Sequence, residues 1–266
     1  VSFVYPDGTR ALQGLSLDIP SGGKMAVLGA NGSGKTTLFL CLNGILRPQY
    51  GKILFKGKPL RYDRKSLRAL RSRLGIVFQD PDTQLISASV LQEIAFGPLN
   101  LGLKEQEALA RVEAAMRETG VEDLRDRATH LLSYGQKKRV TIADILAMEP
   151  EVVVSDEPTA WLDPEHADKI MELFDGINNK GTTVIISTHD TDLALRFADH
   201  VAILKDGALL AAGAPCWLFQ NDILLATAGL KMPLVLNLYL HLCERGILPR
   251  NGKIPRTASE LSSLLQ

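Results

Sequence analysis

The run Gly29-Ala30-Asn31-Gly32-Ser33-Gly34-Lys35-Thr36 constrains this chain more than any other stretch. Apolar Met25, Ala26, Val27 and Leu28 precede it, and Thr37, Leu38, Phe39, Leu40 and Leu42 follow with helical spacing. The order predicts a strand, a glycine turn and a helix start. That context fits the G-x-x-x-x-G-K-[ST] loop, whose glycines let successive backbone N–H groups curl around phosphate oxygens at a helix N-terminus. Side chains at Gly29, Gly32 or Gly34 would block the approach, while Asn31, Ser33 and Thr37 complete the candidate contacts. Lys35 is expected to reach the β- and γ-phosphates of a nucleotide, and the Thr36 hydroxyl to ligate the Mg²⁺ that bridges them.

The chain carries 30 Lys and Arg against 30 Asp and Glu. Without a net positive charge it has no general attraction for polyanions, and nucleic acid is not expected as a partner. No apolar run approaches the roughly 20 residues that a membrane span needs. The nearest, Leu230 to Cys243, contains Lys231, Pro233, Asn237 and His241, so no direct span is expected. Cys41, Cys216 and Cys243 are scattered and odd in number, which suits a reducing compartment better than a disulfide framework. The chain begins at Val1 without a basic stretch leading into an apolar one, so nothing there argues for export. Its 266 residues leave room for one large or two modest domains layered on both sides of a sheet.

Ser2 to Tyr5, closed by Pro6-Asp7-Gly8-Thr9, predicts a strand and hairpin that Leu12, Leu15, Leu17 and Ile19 continue. Ile53 to Phe55 with Gly57 and Lys58 predicts a second hairpin, and Arg61 to Arg73 a basic, solvated stretch. Leu74 to Phe78 reads as a buried strand ending at Gln79. There the side chain is either a polar group in a loop mouth or an oxygen presented to Mg²⁺ and attacking water, with the following segment free to move when that contact forms. Leu103 to Gly120 has the pattern of a surface helix, with Leu109, Val112 and Met116 on its apolar face. Helices between strands suggest an inserted subdomain.

Ser133 is placed to cap a further helix at Leu132-Ser133-Tyr134-Gly135-Gln136, where Gly135 leaves backbone N–H groups approachable. Val152 to Ser155 is a β-branched strand ending in Asp156 and Glu157. Were it parallel to and beside the phosphate-loop strand, Asp156 would lie near Mg²⁺. Glu157 would then lie near the γ-phosphate, where a carboxylate can orient or deprotonate water. Thr182 to Thr188 is another apolar strand, ending at His189. All these polar residues fall at strand C-termini, the edge where open α/β sheets bind ligands. His189 is thus expected to contact the γ-phosphate or Glu157. His200 to Leu204 and Ala208 to Ala211 form a last hairpin. The tail predicts helices around Met232 to Leu240 and Thr257 to Leu261, broken between Gly246 and Pro255.

This ordered set, from Tyr5 to about Gly213, resembles the ATP-binding cassette (ABC) ATPases. The carrying motifs are the loop at Gly29 to Thr36, Gln79, the signature at Leu132 to Gln136, Val152 to Glu157, Leu162-Asp163 and His189. The resemblance implies an α/β fold of the P-loop nucleotide hydrolase type, with an antiparallel β subdomain and an inserted helical subdomain at about 80–145. Residues 1–213 would form the ATPase domain and 214–266 a C-terminal extension. It also implies ATP and Mg²⁺ as cofactors, with Tyr5 offering a face to adenine, Thr36, Gln79 and Asp156 holding the metal, and Glu157, His189 and Gln79 serving hydrolysis. Two copies, most simply a homodimer, would pack head to tail. Each ATP would be capped by Ser133, Gly135 and Gln136 of the other copy, with Asp163 close by. Tyr134 stands where the first signature glycine is usual, Ser155 where an aliphatic residue is usual, and bulky Trp161 precedes Leu162-Asp163. These departures bear on rate and dimer geometry.

Within that family, Gln84 to Val90 and Ala95 to Pro98 are similar to the energy-coupling-factor importers, and the signature variant and tail to their cobalt-transport members. This implies an ATPase peripheral to the cytoplasmic face of the cell membrane. Its partners would be a transmembrane coupling protein, docked through Gln79 to Pro98, and a substrate-binding membrane component. A nickel or vitamin importer, or a soluble switch protein, are the other readings.

Overall fold

The computed structural model describes residues 1–249 and 252–266. In chain order its elements are β1 (Phe3–Val4), β2 (Arg10–Leu12), β3 (Lys24–Leu28), α1 (Lys35–Leu42), β4 (Leu54–Phe55), β5 (Lys58–Pro59), α2 (Arg64–Arg71) and β6 (Leu74–Val77). Then come α3 (Val90–Asn100), α4 (Glu105–Thr119), α5 (Tyr134–Leu146), β7 (Val152–Ser155), α6 (Pro164–Asn179), β8 (Thr183–Thr188) and α7 (Thr191–Phe197). The C-terminal part holds β9 (His200–Lys205), β10 (Ala208–Gly213), α8 (Pro215–Leu218), α9 (Asp222–Ala228), α10 (Leu234–Glu244) and α11 (Ala258–Ser263). The predicted break from Gly246 to Pro255 includes Arg250 and Asn251, which lie outside the described residues.

The described residues build a six-stranded sheet of order β10-β9-β3-β8-β7-β6, parallel except for the antiparallel edge strand β10. The strands β6 and β8 are buried along their whole length. That is why their sequences are continuous apolar runs rather than alternating ones. The strand that ends at Asp156 is not beside the phosphate-loop strand: β8 runs between β3 and β7. The registers Leu28↔Thr188 and Ser155↔Ile186 nevertheless bring all three C-termini to one edge.

Period-two alternation along β3 sends Ala26 and Leu28 into one apolar layer and Met25 and Val27 into the other. The first layer is filled by α6 and α7, through Ile170, Phe174 and Leu195, and is extended by Leu236, Tyr239, Cys243 and Leu261 of the tail. The tail thus shares its core with the sheet. The second layer holds α1 and the β1–β2 hairpin, through Phe39 and Leu12. The strand predicted beyond Leu12 stops there, and Leu15 is buried in an irregular segment. Arg61 to Arg73 is not simply a solvated stretch. It contains α2, capped by Asp63 accepting from Ser66 N, with Leu70 buried. Basic residues on every turn hid that single inward anchor.

Between β6 and β7 a third apolar cluster joins α3, α4 and α5. Val112 and Met116 of α4 are buried as expected, whereas Leu109 is exposed and small Ala108 and Ala115 take the inward positions. On α5, burial together with the charge of Glu93 pushes the Asp144 carboxyl up to about 7. The folded chain therefore holds this proton to higher pH than the unfolded chain, so Asp144 costs stability as pH rises from about 4 towards 7. Asp144→Asn is expected to stabilise the fold by about 1–3 kcal/mol at pH 8 and to lose that advantage near pH 4. Urea unfolding at the two pH values measures it.

Candidate active site

The phosphate loop is held by close contact. Gly34, at the N-terminus of α1, has φ 102°, and a Cβ there would lie 2.5 Å from the Ala11 carbonyl oxygen. A Cβ on Gly29 would lie 2.4 Å from the Leu204 carbonyl oxygen. These positions need glycine because main chain from neighbouring segments presses on both. Lys35, only 6% exposed, donates from Nζ to the carbonyls of Gly29 at 2.7 Å and Ala30 at 3.2 Å. Burial lowers its pKa, opposed by the nearby charges of Glu157 and Asp156.

Thr36 Oγ1 donates to Asp156 Oδ2 at 2.5 Å, so two candidate metal ligands that are 120 residues apart in sequence meet directly. The other oxygen of Asp156 accepts from Ser187 of β8, and Ser187 Oγ accepts from Glu157 N at 2.8 Å. Hydroxyl and carboxylate oxygens of this kind suit Mg²⁺, which takes hard donors and binds through one or two carboxylates plus substrate phosphates. Among the described residues no group of three or more His, Cys, Asp and Glu is gathered for a metal ion.

Glu157 has φ 42°, in the left-handed region, at a cost of about 1–2 kcal/mol for a residue with a Cβ. In this conformation its Oε1 lies 3.2 Å from His189 Nδ1 and 3.9 Å from Lys35 Nζ. Such outliers persist where the surroundings over-determine them. Ser155, just before this pair, is fully buried and its hydroxyl has no partner among the described residues. An aliphatic side chain would avoid that cost.

Tyr5, Lys35, Thr36, Gln79, Asp156 and Glu157 line one cavity of about 360 Å³. The loop residues Asn31 to Gly34 and Thr37 form its floor, and Thr37 Oγ1 lies 3.1 Å from Tyr5 Oη. Thr9, Arg10 and Ala11 also line it, and sequence reasoning missed them. The hairpin brings them there: Arg10 pairs with Val4 in the hairpin that carries Tyr5, so a cation is delivered beside the phosphate loop.

Ser133, Gly135, Gln136 and Asp163 are not among the residues lining this cavity. They form a second group. Ser133 and Gln136 make a reciprocal capping box at the N-terminus of α5, satisfying two otherwise unpaired donors. Asp163 caps α6 and accepts from His166 N at 3.0 Å. Backbone and side-chain hydrogen bonds from His166 hold the Asp163 carboxyl below its ordinary pKa. A Cβ on Gly135 would come within 3.1 Å of the His166 ring, which joins the two caps side by side.

The sequence pattern of the ABC transporter family matches residues 12–160. An energy-coupling factor transporter ATP-binding protein EcfA of Methanocaldococcus jannaschii is 49% identical, over 95% of this chain and 88% of its own length. A cobalt import ATP-binding protein CbiO of Rhodobacter capsulatus is 45% identical, over 99% of this chain and 94% of its own. A putative ABC transporter ATP-binding protein of Methanosarcina mazei is 47% identical over the whole chain, which spans only 58% of that relative's length. Among solved structures, cbiO1 from Clostridium perfringens, part of the ABC transporter complex cbiONQ, superposes with a TM-score of 0.77. It is 46% identical, over 91% of this chain and 96% of that one. A dimeric ATP-binding cassette bound to ADP and Pi superposes with a TM-score of 0.72 at 26% identity, over 80% and 95%. Motif order, the sheet edge that gathers the motifs, and these similarities agree that the chain belongs to the ABC transporter family of ATP-hydrolysing subunits.

Proposed function

We propose that this chain is the ATP-hydrolysing subunit that energises an energy-coupling-factor importer, with cobalt ions as cargo. The observation that carries the hydrolytic part is the single cavity in which the phosphate loop, Thr36, Asp156 and Glu157 converge. In this reading the loop N–H groups and Lys35 bind the β- and γ-phosphates, Tyr5 offers its ring to adenine, and Thr36, Asp156 and Gln79 hold Mg²⁺. When bound, the metal neutralises charge on the phosphate oxygens. Glu157 orients and deprotonates the attacking water, and His189 holds the Glu157 carboxylate in line. Helix N-terminal donors at Ser133 and Gly135 of a second copy complete the site, as suits their separation from the cavity of their own chain.

Residues 1–213 act as the ATPase domain in this proposal and 214–266 as its extension. No helix of the described residues is long and apolar enough to cross a membrane. A transmembrane coupling protein would dock at the cytoplasmic face of the membrane, against the groove of about 790 Å³ between α2 and α3 where Phe96, Leu101, Leu67 and Met148 meet. Cargo would be bound by a further membrane component. The cobalt import relative favours cobalt, and the EcfA relative's name specifies no cargo.

Affinity capture of the tagged chain from detergent-solubilised native membranes, with partners identified by mass spectrometry, tests the assignment. A multi-span protein together with a cobalt-import component is the expected result. Vitamin- or nickel-binding partners would keep the motor and replace the cargo, and exclusively soluble partners would overturn the transport role.

A further inference from the structure

Just after β6, three main-chain polar atoms of Phe78 and Gln79 are held by side chains. Phe78 N donates to Gln84 Oε1 at 3.1 Å. The carbonyl of Phe78 accepts from Lys138 Nζ at 2.9 Å, and the carbonyl of Gln79 accepts from both Lys138 Nζ and Tyr134 Oη, each at 2.9 Å. Tyr134 and Lys138 are four residues apart on α5 and so project from one face of the helix. A bonded ion pair on the same side, Lys137 with Asp82 at 2.6 Å, holds the next turn of the loop.

Lys138 is 0% exposed. Burying an ammonium costs several kcal/mol even after relaxation, and a buried cation persists only where its protons are used. Its hydrogen-bond acceptors are the two loop carbonyls, and the charges facing it are Asp156, Asp80 and Glu157. Tyr134 adds a donor that a glycine could not supply. Its ring also packs edge to face on Trp161, with centroids 5.5 Å apart at 81°. Trp161 sits at φ 60°, where glycine is favoured, and the aromatic contact offsets part of that strain. The two unusual residues of the signature and of the Asp163 loop are therefore partners.

We propose that Tyr134 and Lys138 are positioning residues for ATP hydrolysis: by holding the carbonyls of Phe78 and Gln79 they set the Gln79 side chain in the nucleotide cavity and tie it to the helix that begins with Ser133. Neither residue lines the nucleotide cavity of its own chain; both act through Gln79. The inference rests on the role proposed above for Gln79. Any shift of the signature end of α5 is transmitted to Gln79 of the same copy, and through Trp161 to the approach to Asp163.

Steady-state hydrolysis by the full chain tests this with Tyr134→Phe, which removes one donor and keeps the ring on Trp161, alone and combined with Gln79→Ala. Loss of one hydrogen bond predicts a kcat about threefold to tenfold lower, with the KM for ATP unchanged to within about twofold. In the Gln79→Ala background the same substitution is expected to have no further effect, since the group it positions is gone. Equal losses in both backgrounds, or a raised KM at normal kcat, would overturn the positioning role. A normal kcat for Gln79→Ala alone would instead overturn the reading of Gln79, and this inference with it. Lys138→Met is expected to lose more than Lys138→Gln, which keeps a donor at the same reach. Should Lys138→Met fail to fold, the Tyr134→Phe cycle still decides.

Discussion

Glu157→Gln is expected to lower ATP turnover by about 10²–10⁴-fold, the range contributed by a positioned general base. The substitution keeps the shape of the side chain and its place 3.2 Å from His189 Nδ1. It removes the negative charge, and with it the ability to take a proton from water. The Lys35 ammonium at 3.9 Å loses a counter-charge, so phosphate oxygens compete for it better and ATP is held at least as tightly. The variant should accumulate as an ATP-bound pair of subunits, visible by size exclusion with and without ATP. A variant that hydrolyses ATP at the normal rate, and stays in the same assembly state, would remove Glu157 from this role.

Lys35→Met has the opposite profile: binding fails and the fold survives. Each charge-assisted hydrogen bond from the ammonium to a phosphate contributes about 1.5–3 kcal/mol, which corresponds to a roughly tenfold to hundredfold loss of ATP affinity. The fold loses less. Lys35 is almost fully buried and its pKa is lowered by that burial, so part of its charge is already a cost to the folded state. Methionine fills a similar volume without it, leaving the Gly29 and Ala30 carbonyls without that donor. Titration with a fluorescent ATP analogue, beside a thermal melt, separates the two effects. Wild-type affinity in a folded Lys35→Met protein would argue that the cavity is not where the phosphates sit.

Much of the site could be read from the chain because its chemistry is local. A glycine loop flanked by a strand and a helix needs no tertiary information to be recognised, and neither does a helix cap at Ser133 or a strand that ends in Asp156-Glu157. The same locality explains the omissions. Arg10 and Ala11 enter the cavity only because the hairpin folds over the phosphate loop. The helix α2 was obscured because basic side chains dominate a segment with a single buried leucine. On α4, Ala108 and Ala115 are buried and Leu109 is exposed, an assignment that the helical pattern alone did not fix.

What the sequence determined by itself was the set of parts: a phosphate loop, two carboxylates, a glutamine and a histidine, each at the C-terminal end of an apolar run. Periodicity and turn chemistry act over a few residues, so they specify elements and their ends. Strand order was decided only in the tertiary structure, which inserts β8 between β3 and β7 and lets Ser187 hold Asp156 and Glu157 together. The same holds for the pinning of Gln79 by Tyr134 and Lys138 across more than fifty residues of chain. Those contacts depend on which faces share a core, and burial is a property of the whole fold.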